Sequence, residues 1–136
     1  MCRRLTLVLL ALAASGCGGG SAPLPSSTEA RTALQTALDA WNTGTPASAL
    51  VEGKPSLQAV DHEWASGKGL DSYVIGDEQS GDGNKTFTVS ITLKGSSSPI
   101  DVRYMIFGRN PIRVYRDDDF TRMANMEDNP TQPKPD

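Results

Sequence analysis

The spacing of hydrophobic residues changes near Pro55, and this change predicts a helix followed by a series of strands. Before Pro55, apolar positions recur every three or four residues, which is the spacing of one buried stripe on a helix. Ser26 and Glu29 match the capping box that begins a helix, and Gly44 is suited to ending it. A short second helical turn is predicted to start at Thr45-Pro46. The apolar stripe consists of Ala30, Leu34, Ala37, Leu38 and Trp41.

After Pro55, apolar and polar residues alternate, as they do in half-buried strands. The alternation is strict over residues 85–94, and a strand is also predicted at Ile100–Phe107, with Ile100, Val102, Tyr104 and Ile106 on one face. Shorter strands are predicted at Leu57–Asp61, Leu70–Glu78 and Ile112–Asp117. Because short turns connect consecutive strands, we expect an antiparallel meander and an α+β fold, with an N-terminal helix packed on a four- to five-stranded sheet. The expected core places Leu34, Leu38 and Trp41 on Phe87, Val89 and Ile91.

A leading helix followed by a curved antiparallel sheet resembles the cystatin-like and nuclear-transport-factor-like cone folds, which are common in small bacterial envelope domains. The pattern Trp64-x-x-Gly67-x-x-Leu70-x-x-Tyr73, preceded by Asp61, is similar to one in uncharacterised bacterial lipoproteins of this size. The resemblance covers residues 30–117. It implies a fold and an envelope location, and it implies no reaction.

The first sixteen residues have the layout of a secretory signal. Two arginines precede an apolar run from Leu5 to Ala14, which is too short to span a bilayer as a helix. The small residues Ala14-Ser15-Gly16 stand directly before Cys17. This arrangement resembles the lipobox of bacterial lipoproteins, in which the cysteine thiol receives a diacylglycerol and the cysteine becomes the new N-terminus.

Lipidation fits Cys17 better than the other chemistries of cysteine. A structural zinc site needs four clustered Cys or His ligands, and the chain has two cysteines and one histidine. A disulfide would need Cys2, which lies inside the segment that is removed. Two or more acyl chains, such as palmitate, anchor a protein stably, so we expect attachment to the cell envelope through the lipid. Gly18 after the cysteine favours the outer membrane, facing the periplasm, under the Gram-negative sorting rule.

Beyond the signal peptide of residues 1–16, the sequence predicts a single α+β domain of residues 28–120. Residues 17–27 are the lipidated cysteine and a flexible linker rich in Gly, Ser and Pro. Residues 121–136 end in a proline-rich stretch and are predicted to form a disordered tail. Removing residues 1–16 takes away two arginines and no acidic residue, so the net charge falls from −3 to −5. An acidic chain without a basic stripe excludes nucleic acid as a partner.

One cluster has the residue types of acid–base catalysis: Asp61, His62, Glu63 and Trp64. Cone-fold dehydratases and isomerases use Asp and His in an apolar pocket for such chemistry. Adjacent residues of a strand point to opposite faces, so Asp61 and His62 can line one cavity only if the strand has already ended. The favoured interpretation is structural: an aspartate that caps a turn, a solvated His–Glu pair and a core tryptophan. We therefore predict no catalytic residue and no cofactor.

Two other kinds of site have weaker support. Residues 58–62 begin like the Gln-x-Val-x-Gly inhibitory loop of cystatins, but His62 stands where that motif needs glycine. Asp82 with Asn84, or the run Asp117–Asp119, offers the oxygen ligands that calcium prefers. Neither belongs to an EF-hand loop, and a charge run at a strand end usually protects a sheet edge. No metal site is predicted.

The second face of the sheet is the candidate partner-binding surface. It carries the residue types that are enriched in protein interfaces. The alternative is that the rim of the cone, the tail or the short second helix covers this face. The predicted function is a non-enzymatic, lipid-anchored module that binds an envelope protein or itself, and the alternative is a small-molecule-binding or catalytic cone domain. The residues of this face are Arg103, Met105, Phe107, Arg113 and Tyr115.

A Cys17→Ala substitution should leave an unprocessed precursor, because lipidation precedes cleavage in the lipoprotein pathway. The precursor is recognised by its larger mass in immunoblots of membrane fractions. Cys2→Ala is the matched control and should be processed normally. Wild-type protein that is cleaved yet soluble without detergent would contradict the anchor.

Overall fold

The structure is a computed structural model that describes residues 25–81 and 83–127. The predicted lipidation site Cys17, the linker up to residue 24 and residues 128–136 lie outside the described residues. Among the described helices, none is long and apolar enough to cross a membrane. The helices are α1 (Ser27–Asn42), a 3₁₀ helix (Ala47–Glu52), α2 (His62–Ala65) and α3 (Asp117–Glu127). The strands are β1 (Leu57–Val60), β2 (Leu70–Gly81), β3 (Asn84–Leu93), β4 (Ile100–Phe107) and β5 (Ile112–Arg116).

Helix α1 begins and ends where the sequence predicts. The Ser26 hydroxyl accepts a hydrogen bond from the backbone N–H of Glu29 at 3.1 Å, as in a capping box. After the helix, Gly44 adopts a φ of 82°, a conformation that glycine adopts without the steric cost of a side chain. Helix α1 is the first element, and five strands and a C-terminal helix follow it, so the predicted α+β class is confirmed.

The sheet has the order β1-β5-β4-β3-β2 and is mixed, which corrects the prediction of an entirely antiparallel sheet. Strands β2 to β5 form the predicted antiparallel meander. Strand β1 instead pairs in parallel with β5, with Leu57 opposite Ile112 and Val60 opposite Tyr115. Since parallel neighbours need a long crossover, the chain leaves β1 through α2 and builds three strands before β5 returns beside it.

The predicted core is confirmed. Helix α1 covers one face of the sheet, and its buried stripe forms a single hydrophobic cluster with the inward residues of the strands. Trp41 lies at the end of this cluster, where it stacks on Trp64 with ring centroids 5.7 Å apart and donates a hydrogen bond to the Lys68 carbonyl at 2.7 Å. The predicted contact residues are all 2% exposed or less: Leu34, Leu38, Trp41, Phe87, Val89 and Ile91.

The C-terminal part of the domain differs from the prediction. Residues 117–119 are the first turn of α3 instead of a solvated strand end, and residues 121–127 continue that helix instead of starting a disordered tail. Carboxylates near a helix N-terminus interact favourably with the helix dipole. Phe120 also anchors the helix, with its ring centroid 5.6 Å from that of Phe107 and 6.3 Å from that of Tyr115.

Trp41→Ala should lower the free energy of unfolding by about 3–5 kcal/mol, because it removes a fully buried aromatic side chain from the core. Urea denaturation monitored by circular dichroism measures the change. Val74→Ala on strand β2 is the control, since Val74 is 69% exposed and its truncation should cost little. Equal stability of the two variants would show that α1 does not cover this face of the sheet.

Candidate functional site

Asp61 lies where β1 ends and α2 begins, so it and His62 are not successive strand residues. One carboxylate oxygen, Oδ1, accepts hydrogen bonds from the backbone N–H groups of Glu63 at 2.9 Å and Trp64 at 3.3 Å. The predicted capping role of Asp61 is therefore confirmed. Because the strand has ended, Asp61 and His62 line the same cleft, which is the condition that the sequence set for a shared site.

The other oxygen of Asp61, Oδ2, faces two strands of the sheet. It accepts a hydrogen bond from the Tyr104 hydroxyl at 2.5 Å and one from Arg116 Nε at 3.2 Å. All three residues are buried. Burial, and then the Asp61 carboxylate, raise the pKa of the Tyr104 phenol, so the hydroxyl stays protonated and donates. Burial lowers the pKa of the Arg116 guanidinium, but Asp61, Tyr104 and Glu63 together outweigh burial, so that pKa is raised.

His62 connects this buried pair to helix α3. Its Nδ1 lies 3.1 Å from both carboxylate oxygens of Asp119, and its backbone N–H donates to Asp119 Oδ2 at 2.9 Å. Its Nε2 lies 3.3 Å from Arg116 Nη1. A carboxylate can only accept and a guanidinium can only donate. Both contacts are satisfied by one neutral tautomer, with the proton on Nδ1 and the lone pair on Nε2.

Glu63 completes the network on its exposed side. Its carboxylate pairs with the Lys68 ammonium at 2.6 Å, and the hydrogen bond from Lys68 holds the pKa of Glu63 below its usual range. Glu63 Oε1 also lies 3.4 Å from His62 Nε2, so the predicted His–Glu pair lies side by side, but it is half-buried instead of solvated and has no hydrogen bond in this tautomer. Trp64, predicted to be a core residue, is half-buried and packs against the core through its stack on Trp41.

The cluster has the composition of a metal site, but Asp61 has no coordination capacity left. One donor atom each from Asp61, His62 and Asp119 lie within 4.8 Å of one another. An ionised carboxylate offers about four lone-pair positions. All of those on Asp61 receive donors, namely two backbone N–H groups, a phenol and a guanidinium. The arrangement is that of a structural polar network centred on a neutralised ion pair.

The same geometry limits acid–base chemistry at His62. An aspartate that orients a histidine through Nδ1 is the usual arrangement of a general base, which then accepts a proton at Nε2. Here the Nε2 lone pair points at Arg116, whose guanidinium forms a buried ion pair with Asp61. A water or substrate would have to displace the guanidinium to reach that nitrogen.

The other candidate sites are placed differently from the motifs they resemble. Residues 57–60, which contain the start of the cystatin-like stretch, form strand β1 beside β5 and do not project as a loop. Of the two calcium candidates, Asp82 lies outside the described residues. Asp117 pairs with Arg103 at 3.6 Å, and Asp119 belongs to the His62 network.

Helix α3 covers part of the predicted partner-binding face. Arg103 remains exposed, and Met105, Phe107 and Arg113 are half-buried. Tyr115 is 7% exposed because it lies in a three-ring cluster with Phe107 and Phe120. The five predicted residues therefore share one face of the sheet, but they do not form one open surface.

Sequence reasoning missed Tyr104, Arg116 and Asp119 as members of the network around Asp61. Arg116 had a detectable signal, because it continues the inward alternation of Ile112 and Val114. A guanidinium at an inward position requires a carboxylate partner. No protein-family model matches the chain, and no curated protein matches it significantly.

Asp61→Asn should lower the free energy of unfolding by about 3–5 kcal/mol, because it leaves the buried Arg116 without a counter-charge. Asparagine caps helices as well as aspartate does, so the variant keeps the cap of α2 while it removes the charge and the acceptor oxygen that faces Tyr104 and Arg116. Urea denaturation measures it, with the exposed Asp101→Asn as control.

Adding Arg116→Met to Asp61→Asn should recover much of that loss. Neither charge is then buried, and Arg116 Nη2, which has no hydrogen-bond partner in the described part of the chain, is removed as well. If the double variant is less stable than Asp61→Asn alone, the ion pair does not control the stability of this region.

Proposed function

We propose that the chain is a non-enzymatic binding module held at the bacterial cell envelope by a lipid on Cys17. The observation that carries the proposal is the filled interior between α1 and the sheet. The void bounded by Trp41, Trp64 and Tyr104 measures about 10 Å³, which is about the least that holds one water molecule. Ligand pockets in proteins usually measure several hundred Å³. The space between α1 and the sheet is therefore filled by side chains in the described part of the chain, which favours a binding module over an enzyme with an internal pocket.

The engaged histidine supports the same function. His62 is the one histidine of the chain, and both of its ring nitrogens have partners in the network. The acid–base residue types of the chain thus serve the attachment of α2 and α3 to the sheet. A function that uses the outer surface agrees with this arrangement better than catalysis inside the domain.

A groove on the outer face of the sheet is the surface best suited to a protein partner. It has a volume of about 460 Å³ and lies between β4, β5 and α3. The Arg113 guanidinium lies 5.8 Å from the centre of the Phe107 ring, and Met123 on α3 is 46% exposed. Met126, one turn of helix further on, is 70% exposed. Arginine, methionine and aromatic side chains are enriched in protein interfaces.

Crosslinking in intact cells tests this surface. The double variant Arg113→Glu/Met126→Ser should reduce the crosslinked species by about tenfold or more, since arginine and large apolar side chains dominate interface energies. Its thermal midpoint should stay close to that of the wild type, because Met126 is exposed and the half-buried Arg113 makes a single side-chain hydrogen bond, to Gln58 at 3.2 Å. Tyr115 is unsuitable for this test, because it is buried and its substitution would also destabilise the domain.

Val74→Ser on the opposite edge strand is the matched control, and its crosslinks should persist. A crosslinked product with the mass of two chains identifies self-association, whereas any other mass identifies a second envelope protein. Unchanged crosslinks in the folded double variant would exclude the surface formed by Arg113 in the groove and the adjacent Met126 as the binding surface.

A further inference from the structure

A second cleft lies on the other side of α3 from the proposed partner groove. It has a volume of about 420 Å³, within the usual range for small-molecule sites. Its apolar lining comes from the 3₁₀ helix, β1, α2 and α3. These apolar residues are Ala47, Ala59, Val60, Ala65 and Met123.

The polar groups of this cleft differ in how much hydrogen-bonding capacity remains for a ligand. Both oxygens of Asp61 already accept two hydrogen bonds each, and the oxygens of Asp119 accept from His62. Arg122 is different. Its side chain is 60% exposed and makes one loose ion pair with Asp119 at 3.7 Å, with no hydrogen bond to the described part of the chain.

The cleft therefore combines an apolar lining of small residues with one exposed guanidinium that makes an ion pair but no hydrogen bond to the described residues. We propose that it binds an amphipathic monoanion, with an apolar body against Ala47, Ala65 and Met123 and a carboxylate on Arg122. A guanidinium binds a carboxylate through two parallel hydrogen bonds, which favours a carboxylate over an alcohol of the same length. An alkylammonium would meet the guanidinium with like charge, and the one carboxylate beside it, that of Asp119, is already engaged by His62 and Arg122. This site is separate from the partner groove, and the inference does not rest on the proposed function.

Photoaffinity labelling of the full-length protein tests the ligand class. The probe is octanoic acid that carries a diazirine at the end of its chain, with the protein in phosphatidylcholine nanodiscs if it is lipidated and in buffer if it is not. Mass spectrometry should locate the label on peptides that contain Ala47, Ala65 or Met123. Octanoate should compete at a concentration about tenfold lower than 1-octanol, the difference expected for one charge-assisted contact, and octylammonium should compete least.

Two variants separate the charge from the cleft. In Arg122→Gln, octanoate should compete no better than 1-octanol, whereas Arg103→Gln on the other face should behave as the wild type. Ala65→Trp should abolish labelling by filling the cleft, and because Ala65 is exposed the fold should tolerate it. Thermal melts of each variant confirm that the domain is folded.

Several outcomes would overturn the inference: equal competition by octanoate and 1-octanol, stronger competition by octylammonium, labelling that survives in Ala65→Trp, or no labelling of the cleft at all. Competition by phosphatidylglycerol vesicles but not by free octanoate would show that the ligand is a membrane lipid, and it would overturn the proposal of a free carboxylate ligand.

Discussion

The buried ion pair between Asp61 and Arg116 is the interaction on which the rest of the structure depends. A guanidinium at an inward position of a sheet is tolerated only with a counter-charge beside it, and Asp61 supplies that charge from the start of α2. The pair thereby fixes the end of β1 to the end of β5, two segments that are 55 residues apart in sequence. The same guanidinium makes a second contact, from Nη1 to His62 Nε2, which orients the imidazole ring. The ring in turn contacts Asp119 in the first turn of α3. One charge therefore positions both short helices at this end of the sheet.

This use of charge decides what the site can do chemically. Aspartate, histidine, arginine and tyrosine within hydrogen-bonding distance have the composition of many active sites, and perturbed pKa values accompany both catalytic and structural networks. A catalytic network differs from a structural one in that its groups still have donors or lone pairs available to a substrate. Asp61 has no unused lone pair, and the lone pair of His62 faces Arg116. Arg122, at the surface, touches this network only through an ion pair with Asp119 at 3.7 Å and makes no hydrogen bond to the described residues. The geometry therefore favours recognition at the surface of the domain over proton transfer within it.

The spacing of apolar residues correctly predicted the elements that bury one continuous apolar face. The helical stripe of α1, the alternation of β3 and β4 and their shared core were readable because each buries one continuous apolar face. The parallel pairing of β1 was not, since a four-residue strand contains no information about which distant strand it will join. The pattern did not predict helix α3, because a run of aspartates after a strand is also typical of a protected strand end. Phe120, Met123 and Ala124 nevertheless have helical spacing, and acidic residues are typical of a first turn. Alternation along β5 places Arg116 at an inward position, and a buried arginine indicates a buried carboxylate partner. This was the one signal of the network around Asp61 that the sequence contained.

Helix α3 is the element that shapes both surfaces. It rests on the sheet through Phe120 and on α2 through Asp119, whereas residues 121–126 are exposed except for the half-buried Ala124. The two clefts lie on opposite sides of this helix, and Met123 lines both. An unbranched methionine side chain adapts to different neighbours at low cost. Occupants of the two clefts would therefore contact the same flexible side chain. The domain therefore combines a filled interior with a helix α3 whose exposed residues shape the two clefts.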